Sequence, residues 1–472
     1  MKTDLRVKDI IEVTKGKLIM GNDNEICEKF CFDTREIEEN DTFLGIKGGN
    51  VDGNMLWKEA LDNGAKIAIV ENINFTYAEM EAYKAKKKII IKVENTLESL
   101  AKIAEFKRTL YDIPVVGVTG SVGKTSTKDM IASVISEKYK TLKTEGNNNN
   151  HIGLPKTILK LKEEEVAVVE MGMNHLGEIS ALSKICKPTI GVITNVGTSH
   201  IGNLGSRQNI LKAKLEILDG MKNKRMVINN DNDLLHKWYE ENKNNCEIIT
   251  FGIVNDSDFM AEEIIVHENS TSFICQHGEE KISIEVPVGG EHYIYNALCA
   301  VAVGKTLNVS NEQIAEGIRN VQISKKRMEI NILKKNVTLI NDAYNASYES
   351  IKEALKYITS LPNGRKIAVL GDVLELGEFS DKLHQKIGEE VAKRKVDILI
   401  CCGEQSKYMC QVAIENGFPK QNIYLEKNVE NVTRRIQKIM KEDDAILIKA
   451  SNGMKFYEIA NELISKFGPK GR

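Results

Sequence analysis

The chain reads as an α/β protein of three domains, with parallel sheets in its central and C-terminal parts. Three observations predict this. Its 472 residues correspond, at roughly 150 per domain, to about three domains. From Val115 onward, short apolar runs alternate with helix-periodic stretches, the pattern of a parallel sheet covered on both faces. Near Ile323 the alternation restarts, as in a doubly wound, Rossmann-like fold. The expected boundaries are 1–112, 113–322 and 323–472.

Composition narrows the class. Hydrophobic residues at 42% and charged residues at 28% are ordinary for a globular chain and too apolar for a disordered one. Lys+Arg 65 against Asp+Glu 67 leaves a net charge of −2, which argues against a nucleic-acid binder. No apolar run approaches the roughly 18 residues of a membrane span, and Met1 to Arg6 does not resemble a signal peptide. The 9 cysteines form no C-x-x-C pair, so neither a zinc site nor a disulfide framework is expected. A reducing, cytoplasmic setting fits free thiols.

In the first part, Val7 to Thr14 reads as a short amphipathic helix. Phe43 to Ile46, Ile67 to Val70 and Ile89 to Ile91 read as buried strands, and Glu98 to Tyr111 as a helix ended by Pro114. Val115 to Thr119, Val166 to Val169 and Ile190 to Ile193 are the strands expected next. Residues 247–288 look different: two hairpin-like runs split at His277-Gly278 suggest a small antiparallel appendage. The third block supplies strands at Val337 to Ile340, Ile367 to Leu370, Ile398 to Ile400 and Ala445 to Ile448.

The strand at Val115 runs into Gly120-Ser121-Val122-Gly123-Lys124-Thr125-Ser126 and then a helix whose buried stripe is Met130, Ile131, Val134 and Ile135. Glycines let backbone N–H groups converge on one concavity, and a helix N-terminus adds its dipole. Lys124 offers a positive charge to terminal phosphates, and Thr125 a hydroxyl to a magnesium ion. The strict phosphate-loop pattern wants a glycine where Val118 stands. A glycine turn with a solvated lysine is the blander alternative, but strand, loop and helix occur in the order that nucleotide binding requires. A second strand ends at Glu170, and a third leads through Thr194-Asn195-Val196-Gly197 to His200. Taken singly, Glu170 and His200 read as solvated residues. Together with Thr125 they converge on the crevice where open parallel sheets bind ligands. Lys214, by spacing alone, is one of several helix charges.

These stretches together resemble the ATP-dependent Mur ligases of peptidoglycan synthesis, over essentially the whole chain. The His292 to Leu298 helix, Lys326-Arg327-Met328-Glu329 and Asp342-Ala343-Tyr344-Asn345-Ala346 look like further family motifs. Phe32-Asp33-Thr34-Arg35, Val51-Asp52-Gly53, the asparagine loop Gly146 to Pro155 and Leu370 to Gly377 resemble one branch in particular. For that branch the resemblance implies UDP-N-acetylmuramoyl-tripeptide and D-alanyl-D-alanine as substrates and ATP with Mg2+ as cofactors. It further implies a monomer that binds no nucleic acid.

The resemblance also implies roles. Lys124 would hold the ATP phosphates within the loop Gly120, Ser121, Val122, Gly123, Thr125 and Ser126. Thr125 and Glu170 would bind one magnesium, with His200 helping at a second. Lys214 matches a lysine that the family carbamylates, which turns a cation into an anionic oxygen donor. Asn296, Arg327, Asp342, Tyr344 and Asn345 would surround ATP. Asp33, Thr34, Arg35 and Asp52 would face the UDP end, with Asn149 and Asn150 along the sugar–peptide channel and Ser451 and Asn452 at the dipeptide. Asn452 stands where the family commonly has an arginine, and Tyr293 follows His292 where an asparagine is frequent. The expected reaction is amide formation through an acyl phosphate. Its alternatives are another Mur-type ligase, or a regulatory ATPase that needs no sugar–peptide.

Overall fold

The computed structural model describes residues 4–49, 51–322, 324, 326–362 and 364–468; Ile323, where the third block was expected to start, lies outside them. Three sheets carry the chain.

The first sheet has five strands in the order Lys17–Met20, Ile89–Lys92, Ile67–Val70, Thr42–Leu44 and Phe30–Cys31, with only the Lys17–Met20 pairing antiparallel. The strand expected over Phe43 to Ile46 stops at Leu44, because the Gly45 backbone packs against Gly53, where a Cβ would meet Gly53 O at 2.8 Å. The following helix spans Thr96–Thr109, capped by Asn95, which accepts the Glu98 N–H. It ends well before Pro114: the Arg108 guanidinium takes the carbonyls of Tyr111, Ile113 and Cys186, so a side chain closes the turn. This helix packs on two helices of the central domain.

The central sheet has nine strands. From one edge these are Thr141–Lys143, Val166–Glu170, Val115–Thr119, Ile190–Ile193, Arg225–Asn229 and Glu247–Gly252, then Phe259–Val266, Thr271–His277 and Glu280–Val286. The Val115–Thr119 strand is flanked in parallel by Val166–Glu170 and Ile190–Ile193. It therefore sits where the order of connections reverses, and the crevice beyond its carboxyl end is the expected ligand position. The antiparallel appendage expected over 247–288 requires correction. Glu247–Gly252 runs parallel to Arg225–Asn229, and only the last two pairings are antiparallel, extending the same sheet. A hairpin signal reports the local turn and says nothing about which existing edge the strands join.

The third sheet orders Glu329–Leu333, Val337–Asn341, Ala445–Lys449, Lys366–Gly371, Ile398–Cys402 and Ile423–Glu426, parallel except for the first edge strand. Its faces alternate as a doubly wound sheet requires. Ile367 and Val369 pack with Val432 and Ile459, while Ala368 and Leu370 belong to the cluster of Leu355 and Leu383.

Candidate active site

The phosphate loop turns on two glycines. Gly123 has φ +82 and precedes the helix Lys124–Ser136. Gly120 has φ +156, and a Cβ there would meet Thr194 Oγ1 at 1.9 Å. Val118 is a buried strand residue, so Gly120 does the turning that the strict pattern assigns two positions earlier. Asn195 braces the loop from the neighbouring strand end: its Oδ1 accepts Val122 N–H at 2.9 Å and its carbonyl accepts Ser121 N–H at 3.0 Å. The N–H groups of the helix's first turn have no acceptor within the helix and point at the crevice.

Lys124 curls back to donate to Gly120 O at 2.9 Å. Thr125 donates to Glu170 Oε2 at 2.8 Å and accepts from Arg327 Nη2 at 2.8 Å. Glu170 is 1% exposed, and Asn149 Nδ2 donates to its other oxygen at 2.8 Å. Arg327 also stacks on Tyr344, 4.0 Å from the ring centroid. Thr127 donates to Asn296 Oδ1 at 2.9 Å. On the opposite wall, Asp342, the residue after the Val337–Asn341 strand, pairs at 2.5 Å with Lys449 at the end of the adjacent parallel strand. These side chains line one cavity of about 610 Å³, within the usual size of a small-molecule site.

Burial sets the electrostatics. It pushes the Lys124 amine down, against Glu170 and with Arg327. It pushes Lys214 well down, aided by the Lys124 charge. His200 is lowered by burial and then by Lys124, with Glu375 opposing. His200 itself has φ +63, and its Nδ1 lies 2.6 Å from Glu375 Oε2. The two side chains are in close contact there without a well-aligned hydrogen bond.

Of the residues singled out from sequence, Ser121 to Ser126, Asn149, Asn150, Glu170, His200, Asn296, Arg327, Asp342, Tyr344 and Asn345 line this cavity. Lys214 is 1% exposed and sits behind the lining, within electrostatic reach of Lys124 and His200. Ser451 and Asn452 line a smaller adjoining cavity of about 240 Å³, shared with His200 and Glu375. Asp33, Thr34, Arg35 and Asp52 line neither. Asp33 pairs with Arg35 at 2.5 Å, Thr34 donates inward to Glu59, and Asp52 caps a short turn at Asn54. The Phe32 ring beside them carries Lys156 Nζ at 4.1 Å, which sets this turn against the helix after the asparagine loop.

Sequence reasoning assigned no role to Asn195 or Lys449, although both stood inside stretches read as motifs. It missed Glu349, which lines the cavity and accepts from Thr198, because one glutamate among helix charges leaves no mark.

A divalent hard cation fits this donor set. Thr125 and Glu170 supply oxygen ligands side by side. No group of three or more His, Cys, Asp or Glu side chains among the described residues forms a self-contained metal cage. Magnesium suits such a site, since it takes one or two carboxylates and completes its shell with phosphates and water.

Family models match in three segments: "Mur ligase family, catalytic domain" over residues 31–108, "Mur ligase middle domain" over 118–304 and "Mur ligase, glutamate ligase domain" over 326–452. The UDP-N-acetylmuramoyl-tripeptide–D-alanyl-D-alanine ligase of Bacillus subtilis is 35% identical over 464 residues, 97% of this chain and 98% of that protein. Its Synechocystis counterpart is 32% identical over 92% of each chain. Among solved structures, MurF from Acinetobacter baumannii superposes with a TM-score of 0.86 at 28% identity, covering 98% and 99% of the two chains. The Thermotoga maritima MurF ligase in complex with ADP superposes with a TM-score of 0.79 at 28% identity, covering 93% and 97%.

Proposed function

The chain belongs to the Mur ligase family, and from that premise we propose that it joins D-alanyl-D-alanine to UDP-N-acetylmuramoyl-tripeptide at the expense of ATP, in peptidoglycan synthesis. The observation that carries this reading is likeness along the whole length to ligases of that one specificity, over a crevice built for a polyphosphate.

An amide does not form from a carboxylate and an ammonium in water without activation. In the proposed reaction a carboxylate oxygen of the tripeptide attacks the γ-phosphorus of ATP and ADP leaves. The dipeptide amine, having lost a proton, then attacks the acyl carbon and inorganic phosphate leaves. The chain's part is to position these groups and stabilise their charge. Lys124 and the first-turn N–H groups hold the β- and γ-phosphates. Arg327 meets the same phosphates from the C-terminal domain, while Asn296, Asp342, Tyr344 and Asn345 enclose the rest of the nucleotide. Thr125 and Glu170 would hold Mg2+, with His200 and a carbamylated Lys214 as donors for a second ion. When bound, the metal offsets repulsion between phosphate and carboxylate. Burial holds the Lys214 amine well below the ordinary lysine range, the direction that favours the free amine able to add carbon dioxide, and the nearby Lys124 charge favours the resulting anion. That supports carbamylation of Lys214.

Residues 1–112 would hold the UDP end through Asp33, Thr34, Arg35 and Asp52, residues 113–322 most of the ATP, and residues 323–472 the dipeptide through Ser451 and Asn452. Asn149 and Asn150 would follow the sugar–peptide. No helix among the described residues is long and apolar enough to cross a membrane. A cytoplasmic monomer is what the likeness to these ligases implies, and the near-neutral charge argues against a nucleic-acid partner. The test is phosphate release with UDP-N-acetylmuramoyl-tripeptide, D-alanyl-D-alanine and magnesium. Release that requires both substrates is expected. Release by ATP alone, at the same rate, would mean a regulatory ATPase instead.

A further inference from the structure

The loop after the Ile190–Ile193 strand faces two ways. On its inner side it braces the phosphate loop through Asn195, as above, and Gly197 N–H donates to Ser121 Oγ at 2.9 Å. Its outer side is held by the C-terminal domain. Glu349, on the first turn of the Tyr348–Ser360 helix, accepts Thr198 N–H at 2.8 Å and Thr198 O–H at 3.0 Å, one on each carboxylate oxygen. Gly197 lies against the same carboxylate, where a Cβ would meet Glu349 Cδ at 2.8 Å. Beside it, Glu375 O accepts Gly202 N–H at 3.0 Å, and its side chain reaches His200. Gly202 admits this approach for want of a side chain, since a Cβ would meet Gly377 N at 2.5 Å.

An acid in a helix's first turn has a bland explanation, because it complements the helix dipole. Here that role is spare. Ser347 and Ser350 already cap the helix reciprocally, and both Glu349 oxygens are turned to another domain. Two charge-assisted hydrogen bonds to one residue fix a loop in both position and direction.

We infer that Glu349 is a positioning residue: by clamping Thr198, it makes the shape of the Asn195 to His200 loop, and through Ser121 and Val122 the phosphate loop, depend on the docked C-terminal domain. Glu375 is the second jaw of the clamp. With the domain displaced, the loop would lose both jaws and keep its holds from the central domain, where Arg207 Nη2 and Asn232 Nδ2 donate to Val196 O at 2.8 and 3.2 Å. The nucleotide site then reaches its working shape only when the domain carrying the Ser451 and Asn452 cavity is in place, so phosphoryl transfer waits for the domain that brings the amine. The effect on turnover rests on the ligase reading above; the coupling of loop to domain does not.

The test uses the full chain with Glu349→Ala, Glu349→Gln and Thr198→Val, read by turnover, calorimetric ADP affinity and small-angle X-ray scattering with and without ADP. Glu349→Ala is expected to lower kcat by roughly 30-fold, the scale for losing hydrogen bonds to a charged group, with KM for ATP within about threefold. Its scattering radius without ADP should exceed the parent's. Glu349→Gln should recover most of the turnover, because its amide oxygen still accepts Thr198 N–H and the threonine hydroxyl can accept from its NH2. Thr198→Val should lose about fivefold, and adding it to Glu349→Ala should cost nothing more, since the two act through one contact. Turnover of Glu349→Ala within twofold of the parent, equal damage in Glu349→Ala and Glu349→Gln, or additive losses would overturn the inference. Should Glu349→Ala not fold, Glu349→Gln and Thr198→Val still decide it. Should the parent show no ligation, the ligase reading fails, and the scattering and affinity differences judge the clamp alone.

Discussion

The crevice at Lys124 and the turn at Asp33 to Arg35 both gather charged residues, but they treat charge oppositely. At the turn, exposed Arg35 and half-buried Asp33 satisfy each other, and the guanidinium hydrogen bond holds the Asp33 carboxyl down at about 2. In the crevice, Lys214 is buried and Lys124 half-buried, neither amine forms an ion pair with a carboxylate among the described residues, and burial lowers both. A surface pair costs the fold almost nothing and so says little about ligands. Keeping either amine charged in such surroundings is costly unless something else supplies negative charge close by. The crevice is thus a site on physical grounds, whereas a UDP role for the turn rests on resemblance alone.

Substitutions can break or sharpen that contrast. The largest effect is expected from Lys124→Ala, which should lower kcat/KM by roughly a thousandfold or more, the scale of a preorganised charge in a water-excluded site. A loss below tenfold would put the crevice on a level with the turn. Lys214→Ala should also abolish most turnover and regain part of it with added short carboxylates. In the parent, 13C-bicarbonate should give a carbamate resonance that this variant lacks; normal turnover in Lys214→Ala would remove the residue from the site. Arg35→Ala should raise KM for the UDP substrate severalfold and leave KM for ATP unchanged, as loss of one exposed phosphate contact does. A shift in the ATP value instead would mean that the turn communicates with the crevice.

The smallest effect concerns pH. Burial lowers the His292 imidazole to about 4, assisted by Lys449 and opposed by Asp342. The unfolded chain takes up that proton first, near the ordinary value of about 6.5. The stability owed to a neutral His292 is therefore complete above about pH 6.5 and is lost as pH falls towards 4. Thermal melts of His292→Gln should show a flatter slope across that window than the parent; parallel slopes would place the imidazole in water.

Much of the fold was legible because its signals are local. Val115–Thr119, Ile67–Val70 and Ile190–Ile193 are apolar runs of strand length bounded by glycine or polar residues, and they fold as expected. The failures were also local signals, overruled by distant partners. Residues 247–288 resembled an independent hairpin until the Arg225–Asn229 strand offered Glu247–Gly252 an edge. The helix expected to run to Tyr111 stopped at Thr109 because the Arg108 side chain reached Cys186, seventy-eight residues along the chain.

The same division holds at the site. The phosphate loop could be read from the letters, since glycine torsions, a lysine and a helix start are properties of consecutive residues. The letters also marked Glu170 and His200 as the ends of neighbouring runs. It took the folded chain to make Lys214 a buried amine rather than one more helix charge, to put Gly120 in the place of Val118, and to set Glu349 and Glu375 against the loop bearing His200. Burial and cross-domain contact depend on residues distant in the chain, and no local pattern of letters encodes a dielectric environment or a docking angle.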